Sequence, residues 1–289
     1  MRDLKLILAI DRNRFIIDNL REKFVLVDEN NHVVDASSEF EQFLEIDLNK
    51  HYTFDQLMTE INKKAVVFKE IEELDETLFD DSKLYLNMYE KDIHLPFFKY
   101  SGHFYLFYDD TANQKYVHDM HYVKTHDLMT NLYNRNYIEE MRATLNKKDV
   151  YYHLIMFDLD GLKLFNDHLG HQSGDALLKR FANLLKQFQS KEIIPIRLGG
   201  DEFLMVFIGQ DLKVVHKVIE QLQNSNKNKP FIETLHFSYG IASKTKKNES
   251  LNHLMSQVDV LMYKSKHAKD NYKEKLQVKL KEFSIHNKK

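Results

Sequence analysis

The sequence predicts an α+β protein of two domains. Three contrasts along the chain carry that expectation. Residues 1–120 hold 14 Lys and Arg against 25 Asp and Glu, whereas residues 121–289 hold 27 against 19. A net charge of -3 over 289 residues thus conceals an acidic front half and a basic back half, as two units with separate tasks would show. The element rhythm also changes near residue 150, from short strands around central helices to strands alternating with longer helices. Finally, the chain has only 8 glycines, and five of them (Gly161, Gly170, Gly174, Gly199, Gly200) fall within 40 residues. Glycine concentrated in that way marks special backbone geometry.

Residues 1–22 form an N-terminal segment in which Leu4–Leu20 is apolar every three to four positions and is expected to be mostly helical. Residues 23–110 read as a small antiparallel sheet with helices in its middle. Lys23–Asp28 and His32–Ala36 make a hairpin around Glu29-Asn30-Asn31. Phe40, Phe43 and Leu44 follow at helical spacing. Lys83–Tyr89 alternates, Glu90-Lys91-Asp92 is expected to turn, and Pro96–Tyr100 and His103–Tyr108 are extended runs around Ser101-Gly102. Residues 111–126 read as a linker helix, with Tyr116, Met120 and Val123 on one face.

Residues 127–272 form the second domain. Tyr151–Phe157 is an apolar strand, and Asp175–Phe188 a helix with Leu177, Leu178, Phe181, Leu184, Leu185 and Phe188 along one stripe. Ile193–Leu198 and Phe203–Ile208 are strands joined by Gly199-Gly200-Asp201-Glu202. Leu212–Leu222 is helical and Phe231–Ala242 is a strand. Leu251–Lys266 is a helix with Leu254, Val258, Leu261 and Met262 inward. The order β-α-β-β-α-β-α is the split βαβ plan. Residues 273–289 read as a basic tail.

Composition excludes several classes. There is no cysteine, hence no disulfide, thiolate metal site or cysteine nucleophile. The longest stretch free of charged residues is Thr234–Ser243, ten residues, where a membrane span needs about 20. No apolar run suits a signal peptide, so a cytoplasmic protein is expected. No basic patch interleaved with aromatics suggests a nucleic-acid partner.

Three motifs carry chemistry. Asp158-Leu159-Asp160 ends a buried strand, where carboxylates two apart share a face and suit a hard cation such as Mg²⁺; a turn or helix cap is the plainer reading. Gly199-Gly200-Asp201-Glu202 is a tight hairpin, whose glycines tolerate positive φ and present two acids at the rim. If these strands are neighbours, the acids converge and repel unless a cation lies between them. Asn166-Asp167, Gly170-His171 and Gly174-Asp175 follow. Asn166 and Asp175 together match the donor and acceptor edge of guanine, although Asp175 also suits a helix cap. Lys163 points toward the same loop.

The run from Asp158 to Asp175 followed by Gly199–Phe203 strongly resembles the GGDEF domain of diguanylate cyclases. Asp127–Arg135 resembles that family's N-terminal signature, and Asp259, Met262-Tyr263 and Lys266 its closing helix. The resemblance spans about residues 120–272. It implies a ferredoxin-like, nucleotidyl-cyclase palm fold that condenses two GTP into cyclic di-GMP with release of two pyrophosphates. It further implies two Mg²⁺ or Mn²⁺ per site, held by Asp158, the Leu159 carbonyl and Asp201, with Glu202 assisting as ligand or proton acceptor. Asn166 and Asp175 would read guanine, with His171 beside them. Lys163 and Lys266 would hold phosphates, and the backbone at Gly161 and Leu162 would lie against the triphosphate. Each domain would hold one GTP, so catalysis requires a homodimer.

Residues 23–110 resemble a PAS domain in their element order and in the exit Asp109-Asp110-Thr111. Many such domains bind haem, flavin or small acids; His94 or His103 could ligate haem, a structural role being the commoner one for a lone histidine, and the ligand is left open. Three departures from the GGDEF pattern stand out. Lys269-Asp270-Asn271 replaces the usual glycine and basic residue, so Asp270 stands where a phosphate-binding cation is expected. Asn131 replaces glycine. The product-inhibition motif is absent, with Ser190-Lys191-Glu192-Ile193 in its place, which predicts no feedback inhibition by that route. An active cyclase is the leading expectation. A nucleotide-binding sensor without turnover is the alternative that Asp270 favours, and synthesis of another cyclic dinucleotide is a third.

Overall fold

The computed structural model describes residues 23–47, 51–69, 79–95, 100–225, 234–268 except 246 and 248, and 270–286. The helix expected within residues 1–22 and the beginning of the strand expected from Phe231 lie outside the described residues. The chain divides into two compact units between His121 and Tyr122.

In the first unit, β1 (Lys23–Asp28) and β2 (Val33–Ala36) form the expected hairpin. Asp28 Oδ1 accepts from the Asn30 and His32 N–H groups at 2.9 and 2.8 Å, which closes the turn. Ser37 caps α1 (Ser38–Leu44), and a Thr53–Gln56 capping box starts α2 (Phe54–Lys64). With β3 (Ala65–Phe68), β4 (Leu84–Leu95) and β5 (Tyr100–Asp109), the sheet order is β2-β1-β5-β4-β3. Phe40, Leu57 and Ile61 of the two helices pack on Leu86, Met88, Tyr105 and Phe107 of the sheet. The sheet is not wholly antiparallel, because β3 runs parallel to β4.

Two expected turns are absent. Glu90-Lys91-Asp92 lies inside β4, and Ser101-Gly102 lies inside β5 opposite His94 and Ile93. The ladder is unbroken from Leu86↔Asp109 to Leu95↔Tyr100, so the connection falls between residues 95 and 100. Charged residues are tolerated there because the cross-strand partners satisfy them. Tyr105 Oη donates to Glu90 at 3.0 Å, and His103 Nδ1 lies 2.8 Å from Asp92. His94 Nδ1 is 2.7 Å from Ser101 Oγ. Both histidines are therefore engaged along this hairpin.

The exit from β5 is anchored by its own polar residues. Asp109 accepts from the Thr111 N–H, and Thr111 Oγ1 accepts from the Tyr85 N–H, each at 2.9 Å. The chain continues into α3 (Thr111–Thr125), on which Tyr116, Met120 and Val123 are all exposed, as a one-faced stripe without a partner would be.

In the second unit, β6 (Tyr133–Asn134), β7 (Tyr152–Leu159), β8 (Ile193–Gly199), β9 (Glu202–Ile208) and β10 (Phe237–Ser243) form a sheet of order β10-β7-β9-β8-β6. Helices α4 (Arg135–Leu145) and α8 (Leu251–His267) cover one face through Ile138, Leu145, Leu254 and Val258. The other face receives α5 (Leu162–Leu169), α6 (His171–Lys186), α7 (Leu212–Asn224) and α9 (Asp270–His286). Its centre is a group of aromatic rings, in which Phe181 meets Phe157 and Phe203 edge-on at 5.6 and 5.0 Å.

Several elements differ from expectation. The loop expected between Gly161 and Gly174 is a helix, α5, followed directly by α6. Leu162, Phe165 and Leu169 give it a helical stripe, obscured in sequence by the polar residues between them. Helix α4 and the two-residue β6 were not anticipated. Leu261 is 42% exposed, because the inward stripe of α8 is Leu251, Leu254, Val258 and Met262. The segment expected as a basic tail is α9, whose Leu276 and Leu280 are buried in the core.

Candidate active site

The acids converge as strand register dictates. Asp158 on β7 lies opposite Glu202 of β9 and opposite Ser238 of β10. The Leu159 N–H donates to the Asp201 carbonyl at 2.9 Å, tying the end of β7 to the hairpin. Asp158 and Asp160 are each 5% exposed. Asp160 Oδ1 accepts from Ser238 Oγ at 2.8 Å, whereas Asp158 Oδ1 is buried without a hydrogen-bond partner. Neither aspartate caps a helix, since the α5 N-cap is Gly161.

Neighbouring carboxylates oppose the ionisation of Asp158 and of Glu202. Burial pushes the Asp158 carboxyl up; Lys266 draws it back, and Asp201 and Asp160 raise it again, so its pKa lies above the usual aspartate value. Burial raises Glu202 as well, and Asp201 adds to that effect while Arg135 reduces it. A buried acceptor without a donor, on a carboxyl that its acidic neighbours raise, suits a divalent oxygen-bound cation. Asp158 and Asp201 face one cleft, and Glu202 is the cross-strand partner of Asp158.

The hairpin is held by side chains whose part was not foreseen. Gly199 and Gly200 have φ of 144° and 54°, so the turn needs residues without Cβ. The Arg197 guanidinium, 8% exposed, donates to the Gly200 carbonyl at 2.9 Å and to Asp127 Oδ1 at 3.0 Å. Asp127 also accepts from the Thr130 hydroxyl and N–H. Burial raises its carboxyl, but Thr130 and Arg197 outweigh that and hold it below the usual range. Arg135 Nε donates to the Leu198 carbonyl at 3.3 Å. Asp127 and Arg135 bracket the N-terminal signature, which therefore braces the hairpin. A buried arginine adjoining a glycine turn was the available signal. Asn131 takes φ of 54°, so asparagine serves where glycine is usual.

Asn166 and Asp175 stand on successive helices, α5 and α6. Asp175 sits in the second turn of α6, whose N-cap is Gly170, so it is not a cap. Gly174 lies within α6 rather than in a loop. A Cβ there would overlap Asn166 Oδ1, so the missing side chain lets Asn166 lie against α6 beside Asp175. Asn166 Oδ1 is buried without a hydrogen-bond partner. His171 opens α6 one turn before Asp175, on the same helical face, and is exposed.

Lys266 does not stand free for a phosphate. Its ammonium lies 2.6 Å from Asp158 Oδ2. Burial alone would draw the Lys266 pKa down, but the bond to Asp158 and the charges of Asp201 and Asp160 leave it raised. Lys163 is exposed on the first turn of α5. Asp158, Asp201, Gly161, Leu162, Lys163 and Lys266 line a cleft of about 370 Å³, closed on one side by Glu274 and Gln277 of α9. Gly161 has φ of 87°. Lys264 is exposed on α8, and Lys269 lies outside the described residues.

Known proteins resemble the second unit of this chain. A family profile described as "Diguanylate cyclase, GGDEF domain" matches residues 124–272. The chain is 32% identical over 149 residues to the probable diguanylate cyclase DgcJ of Escherichia coli, covering 50% of this chain and 30% of that protein. It is 29% identical over 169 residues to the probable diguanylate cyclase DgcE of the same organism, covering 55% of this chain and 15% of that protein. The chain thus spans less than a third of the length of these relatives. The crystal structure of the coiled coil and GGDEF domain of DgcB from Caulobacter crescentus, in complex with c-di-GMP, aligns with a TM-score of 0.50 at 25% identity. That alignment covers 55% of this chain and 90% of the DgcB chain.

Proposed function

Because the chain belongs, through residues 124–272, to the GGDEF domain family of diguanylate cyclases, we propose that it condenses two GTP into cyclic di-GMP and two pyrophosphates. The observation that carries this reading is the buried, partnerless Asp158 Oδ1 among the acids of the glycine hairpin. Divalent cations at Asp158, Asp201 and the Leu159 carbonyl would lower the cost of ionising a ribose 3′-hydroxyl and offset charge on the α-phosphate and the departing pyrophosphate. Glu202, with its raised pKa, is suited to accept the 3′-hydroxyl proton. Asn166 Oδ1 and the Asp175 carboxylate accept from the guanine N1–H and N2–H donors. Lys163 and the backbone at Gly161 and Leu162 take the triphosphate. Each 3′-oxygen bonds to the α-phosphorus of the other GTP as that phosphorus loses its bond to pyrophosphate. Two copies of the chain therefore face each other, one GTP apiece.

The first unit is read as a PAS-like sensor that sets this pairing. Its five-stranded sheet, with α1 and α2 between β2 and β3, supports the reading, and the exposed stripe on α3 suits a helix that pairs with its copy. Among the described residues no helix is long and apolar enough to cross a membrane, and the reading places the protein in the cytoplasm.

A second reading, nucleotide binding without turnover, is favoured by Asp270 in place of a cation and by Lys266 being tied to Asp158. Incubation with GTP and Mg²⁺ followed by chromatography separates the two. The cyclase reading expects cyclic di-GMP from the full chain and none from Asp201→Ala. GTP bound but unconsumed would favour the second reading.

A further inference from the structure

Helix α9 adjoins the cleft without any part in the chemistry above. Its inward side chains Leu276 and Leu280 are 1% and 0% exposed and share a core with Phe165 of α5. Leu276 lies directly over Gly161, where a Cβ would overlap its Cδ2. Gly161 is thus glycine for two reasons, its positive φ and the close approach of Leu276. Glu274 and Gln277, on either side of Leu276, line the cleft.

These positions conflict with an anionic ligand. The cleft already holds Asp158 and Asp201 against Lys163 and Lys266, and Glu274 adds a third carboxylate. A wall built for a triphosphate would carry a cation or a backbone donor there. Among its described side chains, residues 274–282, α9 buries Leu276 and Leu280, and the amide exchange of this stretch reads its opening directly.

We propose that α9 is an autoinhibitory strap: as seated here it covers the Gly161 backbone with Leu276 and sets the Glu274 carboxylate on the phosphate side of the cleft, so that the triphosphate binds only as α9 leaves α5. The proposal rests on the cyclase reading of the same cleft. Anything that holds α9 away raises the affinity for GTP without altering the catalytic acids. Neither Asn166 nor Asp175, which form the guanine side, is among the residues that line this cleft.

The test uses the full chain and two variants, Leu276→Ser and Glu274→Lys, the second at an exposed position that does not endanger folding. GTP and GMP binding are measured by calorimetry with Mg²⁺, and hydrogen exchange is followed across residues 270–286 with and without GTP. If the seated form accounts for nine-tenths of the molecules, Leu276→Ser binds GTP up to about tenfold more tightly than the natural chain, and Glu274→Lys, which removes the facing carboxylate, also binds it more tightly. GMP, which lacks the outer phosphates, binds all three alike, and GTP lowers the protection of the Leu276–Leu280 amides. Unchanged or weaker GTP binding by Glu274→Lys, with α9 still protected in the GTP complex, overturns the strap alone. Failure of every folded form to bind GTP overturns the cyclase reading and the strap together.

Discussion

Lys266 Nζ lies 2.6 Å from Asp158 Oδ2, and this ion pair joins the last turn of α8 to the end of β7. It gives the buried Asp158 carboxylate a counter-charge, while Asp158 Oδ1 remains without a donor. A divalent cation on Asp158 would share that task and leave Lys266 available to a phosphate.

Replacing Lys266 by methionine keeps the length of the stem and removes the charge. In the metal-free protein it should lower stability by about 1–3 kcal/mol, the cost of a buried carboxylate deprived of its partner. Saturating Mg²⁺ should recover much of the loss. Thermal denaturation of both proteins with and without Mg²⁺ checks this; an equal deficit in both conditions would show that Lys266 and the cation do not share Asp158.

The site acids give the metal-free protein a pH dependence of known sign. Asp158 and Glu202 are raised, so what they contribute to stability is complete below their ordinary values of 3.8 and 4.5 and is lost as pH rises through the folded values. Asp127 is lowered, so its contribution is present above 3.8 and lost as pH falls through its folded value. Asp201→Asn should therefore lessen the loss of stability on the rising side, since Asp201 raises both Asp158 and Glu202. Asp127→Asn should remove part of the loss on the acid side. Melting temperatures across this range, in chelator, measure both effects.

Much of the second unit was legible because its periodicities are strong. The stripe of α6 and the alternation into Asp158 placed β7 and the core, and the hairpin glycines placed Asp201 and Glu202. Helix α5 was hidden because the same eight residues carry Lys163 and Asn166, which break its apolar pattern. The bracing role of Arg197 was hidden because Asp127 is 70 residues away in the chain. Helix α9 was hidden by its lysines, which outnumber its two inward leucines. In the first unit the charged run Glu90–Asp92 imitated a turn, and only the pairing with His103 and Tyr105 shows how a strand accommodates it.

Gly174 offers a direct test of the guanine pair. A methyl group there would overlap the Asn166 Oδ1 and so displace the Asn166 side chain. Gly174→Ala should fold normally and raise the KM for GTP about tenfold, within the cost of about 1–3 kcal/mol for a lost buried hydrogen bond. Steady-state kinetics with GTP decide the matter; an unchanged KM would mean that Asn166 does not read the guanine edge.

Arg197 is a positioning residue whose loss should act on turnover. Arg197→Met removes the donors to Gly200 and Asp127, freeing the turn that carries Asp201 and Glu202. The expected result is a kcat at least tenfold lower with a smaller change in KM, as misplacement of reacting groups produces. Asp127→Asn, which keeps an acceptor, should retain more activity than Arg197→Met.

The most direct measurement is the initial rate of product formation, per protomer, as the full-length protein is diluted in saturating GTP and Mg²⁺, with cyclic di-GMP and pyrophosphate both quantified. Two facing sites with one GTP each predict two pyrophosphates per cyclic di-GMP, and a rate per protomer that falls as the chains separate. Absence of cyclic di-GMP at every protein concentration, from folded protein that binds GTP, would contradict the account.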